Sequence, residues 1–197
     1  MSEKNIVAMY NRASEWDVAE GMTWYEEAFR LCTILSRKYD RDVNVVAAVL
    51  AALSPRNKWA QNVKDTEVIL AAAVEGLPVE DIRVGTTNLF RDRAYEIART
   101  GKIGLLKGPK VWSFWKDIVD NRGTDRVTVD VWAYRIAAGD LKAAPKLDYK
   151  AYNHIERQYQ RAARKLGLLP LQLQAITWVT ARRYAKVKGH LNQLSFF

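Results

Sequence analysis

The chain has 197 residues, 49% of them hydrophobic and 27% charged, which is enough apolar material for a buried core and too much for a disordered chain. Its one cysteine, Cys32, excludes an internal disulfide and any zinc or iron–sulfur site built from several thiolates. The net charge of +9 is uneven: residues 1–100 carry 13 basic and 15 acidic side chains, residues 101–197 carry 18 and 7. A positive excess in one half implies a polyanionic partner, with nucleic acid ahead of a membrane surface.

The N-terminus, MSEKNIVAMYNRASEWD, lacks the basic-then-apolar order of a signal peptide. The longest apolar run, Val45 to Leu53, is too short to span a bilayer. A cytoplasmic monomer that engages no membrane is expected. Residues 3–12 read as a short helix with Ile6, Val7, Met9 and Tyr10 as its apolar positions. Ser14, Glu15 and Asp17 suit a helix start, and a long amphipathic run follows, bearing Trp24, Tyr25, Phe29, Leu31, Cys32, Ile34 and Leu35. Gly21 is expected to break it in two.

Asn44 opens the next predicted helix, whose small and β-branched residues look buried all round and which Pro55 closes. In the polar link Ser54-Pro55-Arg56-Asn57, Asn57 is placed to cap a helix over about 58–74. Leu77-Pro78 and Gly85-Thr86-Thr87-Asn88 bracket a short helical turn, and Leu89 to Arg99 is a further helix.

The stretch Lys102 to Arg135 carries the chemistry. A helix is expected to end in a Gly-Pro turn, a second helix follows with Lys110 near its start, and a polar loop leads to Val127-Thr128-Val129-Asp130 at the mouth of a third. A carboxylate there sits where the macrodipole favours its ionised form and where a ligand can reach it. Arg126–Val129 is the one β-like piece. Beyond a Pro145-containing loop, Asp148 opens a helix over Tyr149 to about Leu166, stopped by Gly167. Pro170 then stands near the start of the last helix. The expected fold is all-α, with about nine or ten helices.

Three stretches resemble the helix-hairpin-helix DNA glycosylase superfamily, the group of endonuclease III, adenine glycosylase and 8-oxoguanine glycosylase. Val45–Asn62 looks like its buried helix, polar link and following helix. Leu89–Ala98 is similar to the helix before the hairpin. Lys107–Arg135 looks like the hairpin, its second helix and the VDxHxxR segment, here Val129-Asp130-Val131-Trp132-Ala133-Tyr134-Arg135. There are departures. The turn Leu106-Lys107-Gly108-Pro109-Lys110 is one glycine and about two residues shorter than L-P-G-V-G-x-K, Trp132 replaces the usual histidine, and the cluster-ligating cysteines are absent. With the compact size, the altered turn and Trp132, the resemblance points to a phage-type branch.

The resemblance implies a two-lobed helical domain over 1–197, with a core lobe at about 43–138, flanking helices at 1–42 and 147–190, and a tail at 191–197. It implies a DNA glycosylase acting on a flipped-out modified or damaged base. Asp130 would stabilise the sugar cation or activate the nucleophile. Lys110, if it matches the family's lysine, would attack C1′ and add AP-lyase activity. DNA would be held by Ser54, Arg56 and Asn57 on the link, Lys107 and Gly108 at the hairpin, and Arg135, Arg182 and Arg183. Other basic residues of the last two helices, among them Arg157, Arg161, Arg164 and Lys165, would add salt-sensitive backbone contacts. No cofactor or metal centre is expected, apart from a structural monovalent or divalent cation that the hairpin would admit. Two alternatives stand beside this: a phage enzyme of the same superfamily exchanging an amine or amino acid for pyrophosphate on hydroxymethyluracil in DNA, and a non-catalytic DNA-binding module.

The last five residues, Gln193-Leu194-Ser195-Phe196-Phe197, resemble the bacterial sliding-clamp-binding peptide, Q-L-S/D-L-F. That resemblance implies the clamp as a partner, held through Gln193, Leu194, Phe196 and Phe197.

Overall fold

The structure is a computed structural model that describes residues 1–194, with side chains to Lys186. Among these residues it is all-α: nine α-helices, two 3-10 turns and no strand. In chain order they are α1 (Glu3–Tyr10), α2 (Glu15–Tyr39), α3 (Val43–Leu53), α4 (Trp59–Glu75), a 3-10 turn (Val79–Asp81) and α5 (Asn88–Thr100). A second 3-10 turn (Ile103–Leu105) precedes α6 (Pro109–Val119), α7 (Val131–Ala138), α8 (Tyr149–Leu166) and α9 (Pro170–Leu194). None of the described helices is long and apolar enough to cross a membrane.

The helices assemble into two compact units. The first comprises Met1–Tyr25 and Asp120–Phe197, the second Glu26–Val119. These bounds differ from the 43–138 lobe expected from the sequence. The cause is the apolar side of α7: Ala133, Ile136 and Ala137 are buried with Ile6 and Met9 of α1 and with Tyr152, Ile155 and Tyr159 of α8. Burial of that face assigns α7, and Asp130 before it, to the first unit, while Lys110 belongs to the second.

In the second unit α3 is the central element. Every residue from Val45 to Leu53 is buried, and α4, α5 and α6 all pack on it. That accounts for a helix without a polar face. Asp42, rather than Asn44, caps it, accepting from the N–H groups of Asn44 at 2.8 Å and Val45 at 3.4 Å. Burial pushes the Cys32 thiol on α2 up to about 12, which makes it unreactive in the folded chain.

Two local expectations change. Gly21 does not break α2, which runs unbroken from Glu15 to Tyr39. A Cβ at Gly21 would stand 2.5 Å from the Cα of Ile176 on α9, so glycine is there to let two helices approach. The expected helix before the Gly108-Pro109 turn is only the 3-10 turn Ile103–Leu105, because α5 already ends at Gly101, in the left-handed region with φ +71.

Candidate functional site

In the first unit, the site is built on an extended strap, residues 127–129, that lacks a strand partner among the described residues. Val127 and Val129 are fully buried, so their backbone groups must be satisfied within the protein. Side chains of α8 do this. The Tyr152 hydroxyl donates to the Val127 carbonyl at 2.8 Å and accepts the Val129 N–H at 3.2 Å. Glu156 Oε1 accepts the Val127 N–H at 3.2 Å. Burial raises the Glu156 carboxyl above its ordinary value, although this hydrogen bond and the charges of Arg126 and Arg157 oppose the rise.

The strap delivers Asp130, half-buried, to the N-cap of α7. Its backbone is extended at φ −98, its carbonyl accepts from Tyr134 N–H at 3.0 Å, and its Oδ1 accepts from Ala133 N–H at 2.8 Å. A carboxylate so placed is stabilised in its ionised form by the donor and by the positive end of the helix. The phenol of Tyr159 registers that charge: burial raises it most, the hydrogen bond with Thr177 opposes this, and the Asp130 charge adds to the rise.

In the second unit, the link after α3 and the start of α6 come together. The Lys110 ammonium donates to Ser54 Oγ at 3.2 Å and to the Ser54 carbonyl at 3.4 Å. Only the neutral amine can attack carbon, and these two bonds are ones that either protonation state can donate. Arg56 is exposed and in the left-handed region at φ +58, a conformation that costs a non-glycine residue roughly 1–2 kcal/mol.

The link is held in place by Asp65, which is 1% exposed. Its carboxylate accepts from Asn57 Nδ2 at 2.7 Å, Gly85 N–H at 2.9 Å and Gln61 Nε2 at 2.8 Å, and Thr86 Oγ1 donates to the Pro55 carbonyl at 2.8 Å. Asn57 therefore does not cap α4: Lys58 occupies the N-cap without a side-chain bond. A buried carboxylate needs donors more than an exposed helix end does, because water can satisfy the latter. Asp65, Tyr152 and Glu156 were missed by sequence reasoning. The available signal for Asp65 was an acid among the inward-facing positions Asn62, Thr66 and Ile69 of α4.

The other expected DNA-binding residues are scattered in role. Lys107 and Gly108 are exposed, with Gly108 at φ +85. Arg135 donates to the Ala143 carbonyl at 3.1 Å, lies 5.4 Å from the centre of the Trp132 ring and lines a cleft of about 500 Å3 with Arg12 and Lys142. Arg182 stacks over Trp178 at 4.2 Å. Arg183 is engaged with the buried Asp17, its Nε donating to both carboxylate oxygens at 3.0 Å. Of the tail residues expected to bind a clamp, Phe196 and Phe197 lie outside the described residues, as do the side chains of Gln193 and Leu194.

Among the described residues no group of three or more His, Cys, Asp or Glu side chains is arranged to hold a metal ion. No curated protein and no solved structure matches the chain. Residues 1–185 match a family of unknown function, DUF7178, and the chain belongs to that family.

Proposed function

We propose that this DUF7178 protein is a DNA glycosylase of the helix-hairpin-helix type, acting on a flipped-out modified or damaged base. The observation that carries the reading is the setting of Asp130: a half-buried carboxylate at the start of α7, on a strap whose backbone is pinned by Tyr152 and Glu156. Cleavage of an N-glycosidic bond develops positive charge on the sugar, and a fixed carboxylate stabilises that charge or activates water against it. A pinned strap supports such a role because a preorganised charge need not reorganise as the bond breaks. Lys110 is the amine that would attack C1′ and add strand cleavage, and the basic half of the chain supplies the attraction to DNA.

The same cap favours a second reading. An aspartate that closes a helix has a structural reason to be there, and a DNA-binding module without catalysis would need it too. Asp130→Asn separates the two, because asparagine caps a helix about as well as aspartate but cannot stabilise a cation by charge. The glycosylase reading expects base release from duplexes bearing single modified bases to fall by roughly 100-fold or more, with unchanged circular dichroism. Equal release by wild type and variant ends that assignment. Borohydride trapping adds the second arm: a covalent adduct lost in Lys110→Ala supports the lyase step. Failure of any modified base to be released, with salt-sensitive binding retained, selects the module.

A further inference from the structure

The basic residues of the last two helices are not equivalent once folded. On α9, Arg182 lies on Trp178 and Arg183 on Asp17. On α8, Lys165 pairs with Glu3 at 2.5 Å. One face of α8 remains, on which the His154 ring already meets the Met1 carbonyl, its Nε2 at 3.3 Å. Lys150, His154, Arg157, Arg161 and Arg164 recur at intervals of four, three, four and three residues, and all five are exposed. That is the spacing of a single helix face. The opposite face, with Tyr152, Ile155, Tyr159, Ala162 and Ala163, is buried in the core of the first unit.

Among the described residues, Arg157, Arg161 and Arg164 neither donate a side-chain hydrogen bond nor close an ion pair. The one acid of α8, Glu156, is 7% exposed and turned to the strap, within electrostatic reach of Arg157. The loop before the strap packs on α8 through its backbone, Gln160 donating to the Asp125 carbonyl at 2.8 Å. Three adjacent like charges on one face repel one another, and a helix gains nothing from their alignment without an anion to face them. Arg164 also complements the negative end of the helix, but Arg157 and Arg161 stand clear of the last turn.

We infer that this face of α8 is a track for the phosphate backbone of a nucleic acid. The proposal rests on the polyanion-binding part of the function proposed above and not on its chemistry. From Arg157 to Arg164 the helix rises about 10 Å, and each guanidinium can grip one phosphate, so the row offers up to three phosphate contacts. A nucleic acid fits better than an anionic membrane. A surface-bound helix inserts an apolar face beneath its cations, and the apolar face of α8 is already inside the protein.

The test is the salt dependence of binding to an undamaged, random-sequence duplex, read by fluorescence anisotropy of the full-length protein between 50 and 200 mM KCl. The variant is Arg157→Gln, Arg161→Gln and Arg164→Gln together, since glutamine keeps helix propensity, and its melting temperature is recorded beside wild type. Each lost phosphate contact makes the slope of log K against log salt shallower by about 0.9, so the triple variant is expected to lose about 2.7. Arg30→Gln, Arg37→Gln and Arg99→Gln together remove the same charge elsewhere and are expected to change the slope by less than about 1. The proposal is overturned by no measurable duplex binding in wild type, by an unchanged slope in the α8 variant, or by equal loss in both variants. It is equally overturned if the α8 changes abolish binding to phosphatidylglycerol vesicles and spare the duplex. Because base release is not read, failure here and failure of Asp130 as a catalyst are separate outcomes.

Discussion

Asp17 shows how a single side chain couples distant parts of the sequence. It is 1% exposed and closes a capping box with Ser14, each backbone N–H donating to the other's side chain at 2.9 and 3.2 Å. Burial pushes its pKa up, but the hydrogen bonds from Arg183 and Ser14 outweigh this and hold it below the ordinary value. A depressed folded-state pKa means stability that is fully present above the unfolded value, near 3.9, and lost as pH falls through the folded one. Asp17→Asn is therefore expected to flatten the acid limb of a stability–pH curve below about pH 4. At pH 7 its cost is about 1.5 kcal/mol, the low end for bonds to a charged group, because the Arg183 side chain is 42% exposed and water screens it. Urea titrations across pH 2–7 measure both. An acid limb as steep as that of wild type would mean that Asp17 does not carry this pH dependence.

At the scale of elements, two competing magnitudes meet at Gly21. A glycine inside a helix costs about 1 kcal/mol relative to alanine, and by propensity alone Gly21→Ala should stabilise α2. The structure reverses the sign. An added Cβ would lie 2.5 Å from Ile176 Cα and 2.6 Å from its N, and backbone cannot swing aside as a flexible side chain does. Overpacking of this kind costs about 1–3 kcal/mol, so a net loss is expected. A lower urea midpoint at unchanged slope supports close packing of α2 on α9, whereas a rise of about 1 kcal/mol refutes it. The strap before α7 follows similar logic. Its residues 126–129 have the alternation of a strand, yet no strand pairs with them among the described residues, because Tyr152 and Glu156 take over the ladder's hydrogen bonds.

At the scale of the whole molecule, the first unit is discontinuous: its core joins Ile6 and Met9, near the start of the chain, to Tyr159, Leu173 and Ala181 near its end. A backbone bond also ties the start of the chain to α7, Ser2 N–H donating to the Ala137 carbonyl at 2.9 Å. Short as it is, α1 is thus a core element. Ile6→Ala, at a position 0% exposed, is expected to lower the unfolding free energy by about 2–5 kcal/mol, a large share of a typical total of about 5–15 kcal/mol. Chemical denaturation measures it, and a loss below about 1 kcal/mol would make α1 peripheral.

Helix content, most helix ends and the buried character of α3 were legible in the residues themselves, because periodicity, caps and glycine stops act within a few positions of where they are written. Asp130 at a helix mouth was legible for the same reason. The division into units was not: Val45–Leu53 and Val131–Ala138 look alike as apolar helices, and only their packing partners separate them, α4, α5 and α6 for the first and α1, α8 and α9 for the second. Nor could the chain order alone reveal that Asp65 anchors the link, that Arg183 is tied to Asp17 while Arg157, Arg161 and Arg164 stay exposed, or that Gly21 admits Ile176. Local sequence determines what a segment can become, since its backbone energetics are short-ranged. Which side chains are buried, paired or left facing solvent depends on long-range contacts, and those exist only once the fold has closed.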